Sequence, residues 1–195
     1  MATEDHVDSA RERLIASAQE LLWERGYVGT SPKAIQALSG VGQGSMYHHF
    51  AGKSDLALAA VRRNAADVRA EADAALSAPG SAIERVAAYL QRERDVLRGC
   101  RVGRLAHDPD IVAVPELREP LAATFAWLQS QLAEVLAEGK ARGELRDDLD
   151  AQTVAAAIAA VVQGGYVLAR AADAAGEFER AADGILSLLE AARAG

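Results

Sequence analysis

Most of the residues that announce a chemistry are scarce in this sequence. There is one cysteine, Cys100, so no intrachain disulfide framework can form, and a reducing compartment is expected. Aromatics are few: three Phe, two Trp and four Tyr. There is no surplus of positive charge, since 21 Lys and Arg face 28 Asp and Glu for a formal net charge of −7. Strong general attraction to polyanions is thereby excluded, and any nucleic-acid role must rest on a local docking face. The opening Met-Ala-Thr-Glu-Asp-His carries neither a basic segment nor an apolar one, so no signal peptide is expected. The longest apolar stretch, Val154 to Ala169, is broken by Gln163 and rich in Ala and Gly. It reads as a buried helix and not as a bilayer span. A soluble, cytoplasmic protein with no membrane partner is the expectation.

What the chain does have is alanine and helical spacing. Half its residues are apolar, and alanine is the best helix former and a poor strand former. The spacing predicts an all-α fold of about nine helices, with no strand alternation and no internal repeat. The first helix is predicted from Ser9, with Ser9 and Glu12 as a capping box and Gly26 as its end. Leu14, Ile15, Ala18, Leu21 and Leu22 form its buried face. A short second helix follows, capped by Thr30 or Ser31, with Pro32 in its first turn and Ile35 and Leu38 inward. Gly40 closes it. A third short segment, Gly44 to Phe50, presents Met46 and Phe50 to the core. Ser54 is predicted to cap a fourth helix running to about Leu76.

The remainder continues in the same style. Ser81 and Glu84 form a second capping box, and Ile83, Val86, Ala87, Leu90 and Leu97 define a fifth helix ended by Gly99. Pro109 and Pro115 are expected to bound a loop. A long amphipathic helix then carries Leu117 to Leu136, closed by Gly139 and Gly143. Asp150 caps a helix apolar nearly all round. A last helix, from about Glu177, shows Phe178, Ala182, Ile185, Leu188 and Leu189.

A short helix, a glycine-containing turn and a second short helix are the ingredients of a helix-turn-helix, whose second helix can enter the major groove. The same corner also fits a helical ligand-binding or protein-interaction module with no DNA role. The charge balance of residues 1–63 leaves this open, because seven Lys and Arg face seven Asp and Glu there. The identities within the corner are informative. Leu38-Ser39-Gly40-Val41, then Gly44-Ser45-Met46-Tyr47-His48-His49-Phe50, then Lys53, resemble the headpiece of the TetR family of regulators, over roughly Ser9 to Val61. Gly42 departs from the family's usual Ser or Thr cap, which costs the third helix a few tenths of a kcal/mol. The resemblance implies a helix-turn-helix domain at 1–53 and an effector-binding and dimerising helical domain at 54–195, joined by the fourth helix. It implies a ligand-responsive regulator, a repressor that binds a palindromic DNA operator as a dimer. Gln43, Gly44 and Ser45 would sit near base edges, and Lys33 near a base or phosphate. Tyr47 and His48 would lie against the backbone or a thymine methyl, with His49 beside them. Thr30, Ser31 and Lys53 would hold phosphates. Of these, Gln43 is the side chain able to contact adenine in bidentate fashion.

Within the body, Gly99-Cys100-Arg101-Val102-Gly103-Arg104-Leu105-Ala106 resembles a stretch of the LmrA/YxaF-like subset of that family, with Arg104 where the subset often carries Asn. Cys100 reads as a small buried residue or as a redox-sensing thiol. Tyr89, Cys100, His107, Phe125, Trp127, Gln163 and Tyr166 are the candidates for an effector pocket, and the apolar bias points to a lipophilic or aromatic small molecule. The resemblance also implies homodimerisation through the last two alanine-rich helices. No cofactor and no metal are expected, because His48 and His49 are adjacent on a helix and point about 100° apart. His107-Asp108 has no nucleophile beside it by local motif, so no enzymatic role is expected.

Overall fold

The computed structural model describes residues 2–194. Among the described residues there are nine α-helices and no strand. They are α1 (Ala2–Arg25), α2 (Pro32–Ser39), α3 (Gln43–His49), α4 (Lys53–Leu76), α5 (Ala82–Gln91), α6 (Pro109–Ala113), α7 (Pro115–Ala141), α8 (Ala151–Ala172) and α9 (Gly176–Glu190). A 3-10 turn, Gly103–His107, precedes α6. The chain divides into two compact units, residues 1–67 with 101–122, and residues 68–100 with 123–195.

In the first unit, α1 buries Leu14, Ile15, Ala18, Leu21 and Leu22, the face its spacing predicts. Gly26 ends it at φ +72°, a conformation that only glycine adopts cheaply. The helix begins well before Ser9, so the Ser9–Glu12 capping box does not form. The Glu12 carboxylate is bound instead by Arg63, whose hydrogen bonds hold it below the usual carboxylate range. Residues 101–122 close over the end of α1. Arg101 lies 4.6 Å above the Trp23 ring, and Arg104 donates to the Trp23 carbonyl at 2.5 Å. The buried Asp108 side chain accepts the Tyr27 and Val28 amides at 2.7 and 3.1 Å through one oxygen, and the Asp110 amide at 3.2 Å through the other. Pro109 and Pro115 do not bound a loop. Each is the first residue of a helix, where its missing N–H costs nothing.

In the second unit the core gathers Val86, Leu90, Leu132, Leu136, Ile158, Val162, Phe178 and Leu189. The Ser81–Glu84 capping box is present, and Glu144 adds a carboxylate oxygen 2.7 Å from the Ala82 amide. Helix α5 stops at Gln91, earlier than its apolar spacing suggests, so Leu97 lies outside it and exposed. Gly99 sits in a separate turn, bonded to the Asp95 and Val96 carbonyls. Gly139 does not end α7 but lies inside it, where a Cβ would stand 2.5 Å from the Ala82 Cβ. The glycine is needed for close approach of α5 and α7. Asp150 caps α8 by accepting the Gln152 and Thr153 amides. Helix α8 is not buried all round: Ile158, Val162 and Tyr166 face inward, whereas Val167 and Leu168 are exposed. It is long and apolar enough to cross a membrane by length and composition, with one third of its apolar window buried. On α9, Leu188 also faces outward.

Two stability effects follow. Gly139→Ala forces a shift of packed backbone and is expected to destabilise by about 1 kcal/mol or more, the overpacking cost exceeding the helix-propensity gain. Chemical denaturation reads this as a lower midpoint. Asp108→Ala leaves three backbone amides without their protein acceptor and is expected to cost about 1–3 kcal/mol. Amide exchange at Tyr27 and Val28 should accelerate in that variant, and unchanged exchange would count against the role given to Asp108.

Candidate nucleic-acid interface

The corner from Ser31 to Lys53 is built by a few local contacts. Ser31 caps α2, its Oγ accepting the Ala34 amide at 3.1 Å, and Pro32 occupies the first helical position. Gly40 takes the left-handed conformation at φ +67°, and its amide bonds the Gln36 carbonyl at 3.0 Å. The Ser39 hydroxyl is buried and serves twice. It donates to the Gln36 carbonyl and accepts the Val41 amide at 3.2 Å, which fixes the turn into α3. Gly42 caps α3 without a side chain. Met46 is fully buried, Phe50 nearly so, and Gln36 Nε2 donates to the Met46 sulfur at 3.4 Å. Helix α3 is thus pinned to α2 by its inner face.

Its outer face is left to solvent. Gln43, Gly44, Ser45, Tyr47 and His48 are all exposed, and His49 is half-buried with its ring edge-on to His48 at 5.2 Å between centroids. A side chain built at Gly42 or Gly44 would meet nothing within 4 Å, so the first turn of α3 is open to an approaching surface. Lys33 is exposed on α2. Ser31 is exposed as well, and its capping bond uses the oxygen as acceptor, leaving the hydroxyl hydrogen for another group. Lys53 opens α4 with its Nζ 4.0 Å from the centroid of the Tyr27 ring, which sets the direction of the ammonium. Ser54 does not cap that helix. In the first turn of α4 the Asp55 carboxylate instead reaches back and accepts the Ala51 amide at 3.0 Å.

Two expectations need correction here. Thr30 is 1% exposed and its Oγ1 donates to the Gly26 carbonyl at 2.7 Å, so it closes the α1–α2 loop and cannot hold a phosphate. Leu38 is 54% exposed, because α2 turns that residue away from the core that Ile35 enters. One residue that spacing alone does not find is Arg13. It lines a concavity with Gly42, Gly44, Ser45 and His48, brought there by the packing of α1 against the corner.

The candidate effector residues divide. Tyr89, Tyr166 and Cys100 belong to the second unit and to one neighbourhood. Arg94 lies 5.7 Å from the Tyr89 ring centroid and 5.9 Å from that of Tyr166, and Cys100 is packed against the same core. Burial pushes both phenols above the usual tyrosine range, so they stay protonated and act as O–H donors. Trp127 carries the Arg69 guanidinium 5.9 Å over its ring. Phe125 and Gln163 are half-buried on α7 and α8. His107 is exposed and falls in the first unit, whereas the other candidates fall in the second. Asp108 gives both carboxylate oxygens to backbone amides, two to one oxygen and one to the other. Arg92 and Arg94 were legible only as charges after a helix, a pattern that ordinarily marks a solvated surface.

Comparison with known proteins agrees with this geometry. Residues 14–60 match the family described as bacterial regulatory proteins, tetR family, and residues 80–185 match the tetracyclin repressor-like C-terminal domain. The HTH-type transcriptional regulator LmrA of Bacillus subtilis is 31% identical over 117 residues, covering 56% of this chain and 62% of its own length. An uncharacterized HTH-type transcriptional regulator of Lactococcus lactis is 26% identical over 136 residues, 66% of this chain and 68% of its own. The crystal structure of a TetR transcriptional regulator from Chloroflexus aurantiacus superimposes with a TM-score of 0.88 at 28% identity, covering 98% of this chain and all of that one. A pinned, outward-facing second helix, followed by a body of this matched type, belongs to a DNA-binding regulator, and the chain is a member of the TetR family of bacterial transcriptional regulators.

Proposed function

We infer that this regulator works in the cytoplasm as a homodimer that grips an inverted-repeat operator and lets go when a small molecule occupies its body. In this reading residues 1–53 are the DNA-binding headpiece, and residues 54–195 sense the effector and dimerise. The observation that carries it is the division of α3 into two faces, with Met46 and Phe50 buried and Gln43, Ser45, Tyr47 and His48 exposed on the other side. A helix whose inner face alone holds it in place can spend its outer face on a ligand, and a seven-residue helix fits the major groove.

The side chains divide by chemistry. Gln43, at the first position of α3, offers a donor and an acceptor to an adenine edge. Ser31, Lys33 and Lys53 supply donors to phosphates, and Tyr47 and His48 add backbone or methyl contacts. Arg13 adds a cation beside them. Because residues 1–63 are charge-neutral, affinity rests on docking two headpieces at once. Successive major-groove faces lie about 34–36 Å apart, which sets the spacing a dimer must meet.

The dimer surface is proposed on α8 and α9. Val167, Leu168 and Leu188 are 58%, 54% and 68% exposed, an unusual share of large apolar side chains in contact with water. Gly164 and Gly184 lie nearby in sequence with open space where a Cβ would be, which permits close approach of a second copy. An effector acts by preferring the conformer that does not fit the operator, since only differential affinity moves the balance. Helix α4, which begins in the headpiece unit and continues into the second, and the segment from Arg101 to Asp108, which clasps the end of α1, are the routes for that change.

Fluorescence anisotropy on operator duplex tests the contacts. Tyr47→Ala is expected to remain folded and dimeric and to bind about tenfold or more weakly. Lys53→Gln is expected to weaken all duplexes alike and to lower the slope of log affinity against log salt by about one per headpiece. Parent-like affinity in a folded Tyr47→Ala dimer would overturn the assignment.

A further inference from the structure

Among the described residues Arg94 is a partly buried cation with no ion-paired acid. Its hydrogen bonds run to neutral oxygens: the Tyr89 carbonyl, the Arg92 carbonyl at 3.3 Å and the Tyr166 hydroxyl at 3.4 Å. Around it stand the rings of Phe178, Tyr89 and Tyr166, with centroids 4.7, 5.7 and 5.9 Å from the guanidinium carbon. Among the described residues no carboxylate forms an ion pair with it, and burial pulls it below the usual arginine range. Arg92 lies alongside, 4.9 Å from the Tyr89 ring centroid. Its Nε is buried with no hydrogen-bond partner among the described residues, and its ion pair with Glu71 is loose at 3.7 Å.

Such a neighbourhood has an excess of donors. A guanidinium carries five N–H groups and no acceptor. The three bonds of Arg94 leave two N–H groups without an acceptor among the described residues. The Tyr89 and Tyr166 hydroxyls stay protonated, and neither has a hydrogen-bond acceptor among the described residues. Two clustered positive charges repel each other, and a buried cation without a counter-charge is costly. A protein built only for stability would place an Asp or Glu here. A ligand carrying the missing negative charge would take up both the charge and the idle donors. The flat rings around the charge suit an unsaturated or aromatic body attached to it.

We propose that the effector of this regulator is an organic anion, an arene or alkenyl carboxylate, whose carboxylate is bound by Arg94 with Arg92 and the Tyr166 hydroxyl while its apolar body lies against Tyr89 and Phe178. The proposal rests on reading the second unit as the effector-binding body, and it sharpens that reading from a lipophilic molecule to an anionic one. It also places the ligand seven residues before Arg101, the residue that stacks on Trp23 beside the headpiece.

The test is calorimetric and thermal-shift titration of the full chain with benzoate and cinnamate against the matched benzamide and cinnamamide. The carboxylates are expected to bind and to raise the melting temperature, with the amides at least about tenfold weaker because they lack the charge. Arg94→Gln is expected to erase that preference. Should Arg94→Gln fail to fold, Tyr166→Phe removes one hydroxyl from the site and must weaken benzoate several-fold. Equal binding of acids and amides, no binding by either carboxylate, or parent-like benzoate affinity in Tyr166→Phe overturns the proposal. Anisotropy on operator duplex, run on the same preparations, separates the two readings. Operator binding without any carboxylate response refutes the ligand class and leaves the regulator standing. Carboxylate binding without operator binding supports the ligand class and refutes the DNA role.

Discussion

Whatever the headpiece presents to DNA depends on the burial of Met46. Helix α3 has seven residues, and isolated helices shorter than about 12–15 residues are marginal in water. Gly42 gives it no side-chain cap, and its first turn contains a second glycine. Its existence therefore comes from tertiary contacts: Met46 fully enclosed, Phe50 nearly so, and the turn before it fixed by the doubly bonded Ser39 hydroxyl. Burying one methionine side chain contributes about 1.5–3 kcal/mol, enough to outweigh the missing cap. With the inner face committed to that core, Gln43, Ser45, Tyr47 and His48 carry no structural duty. Their identities are available for recognition.

A second constraint sits on the far side of the same unit. The α1–α2 loop exposes amides that need acceptors, and Asp108 supplies one from a segment about eighty residues away in sequence. Arg101 and Arg104 hold the preceding turn of α1 from the same segment. The headpiece is thus not self-contained. The chain leaves the first unit after Asp67, returns at Arg101 and leaves again after Ala122. Arg92 and Arg94, the two residues with idle donors, lie a few residues upstream of that return in sequence.

Helix content, order and most ends were legible because they depend on local chemistry. Gly26, Gly40, the Ser81–Glu84 box and the Asp150 cap each express a preference within one turn of chain. Several failures needed information from elsewhere in the fold. Thr30 and Ser31 are adjacent and chemically alike, and only the packing of the loop decides that one is buried and the other caps. Leu38 and Leu188 fit their helices' apolar spacing but face outward. Gly139 looked like a helix end because its reason, the Ala82 side chain, lies on another helix. Of the candidate site, the exposed row on α3 was readable from residue identity. The arginines of the body were not, because an Arg-Glu-Arg run reads as surface until the rings around Arg94 are known.

The most direct measurement is selection of bound duplexes from a randomised pool, carried out in parallel with the parent protein and Gln43→Ala. The expected result is an inverted repeat with half-sites about one helical turn apart for the parent, and for the variant the same repeat with one base pair in each half-site no longer specified. Identical motifs from both proteins, or no inverted repeat from the parent, would contradict the claim that the outer face of α3 reads DNA.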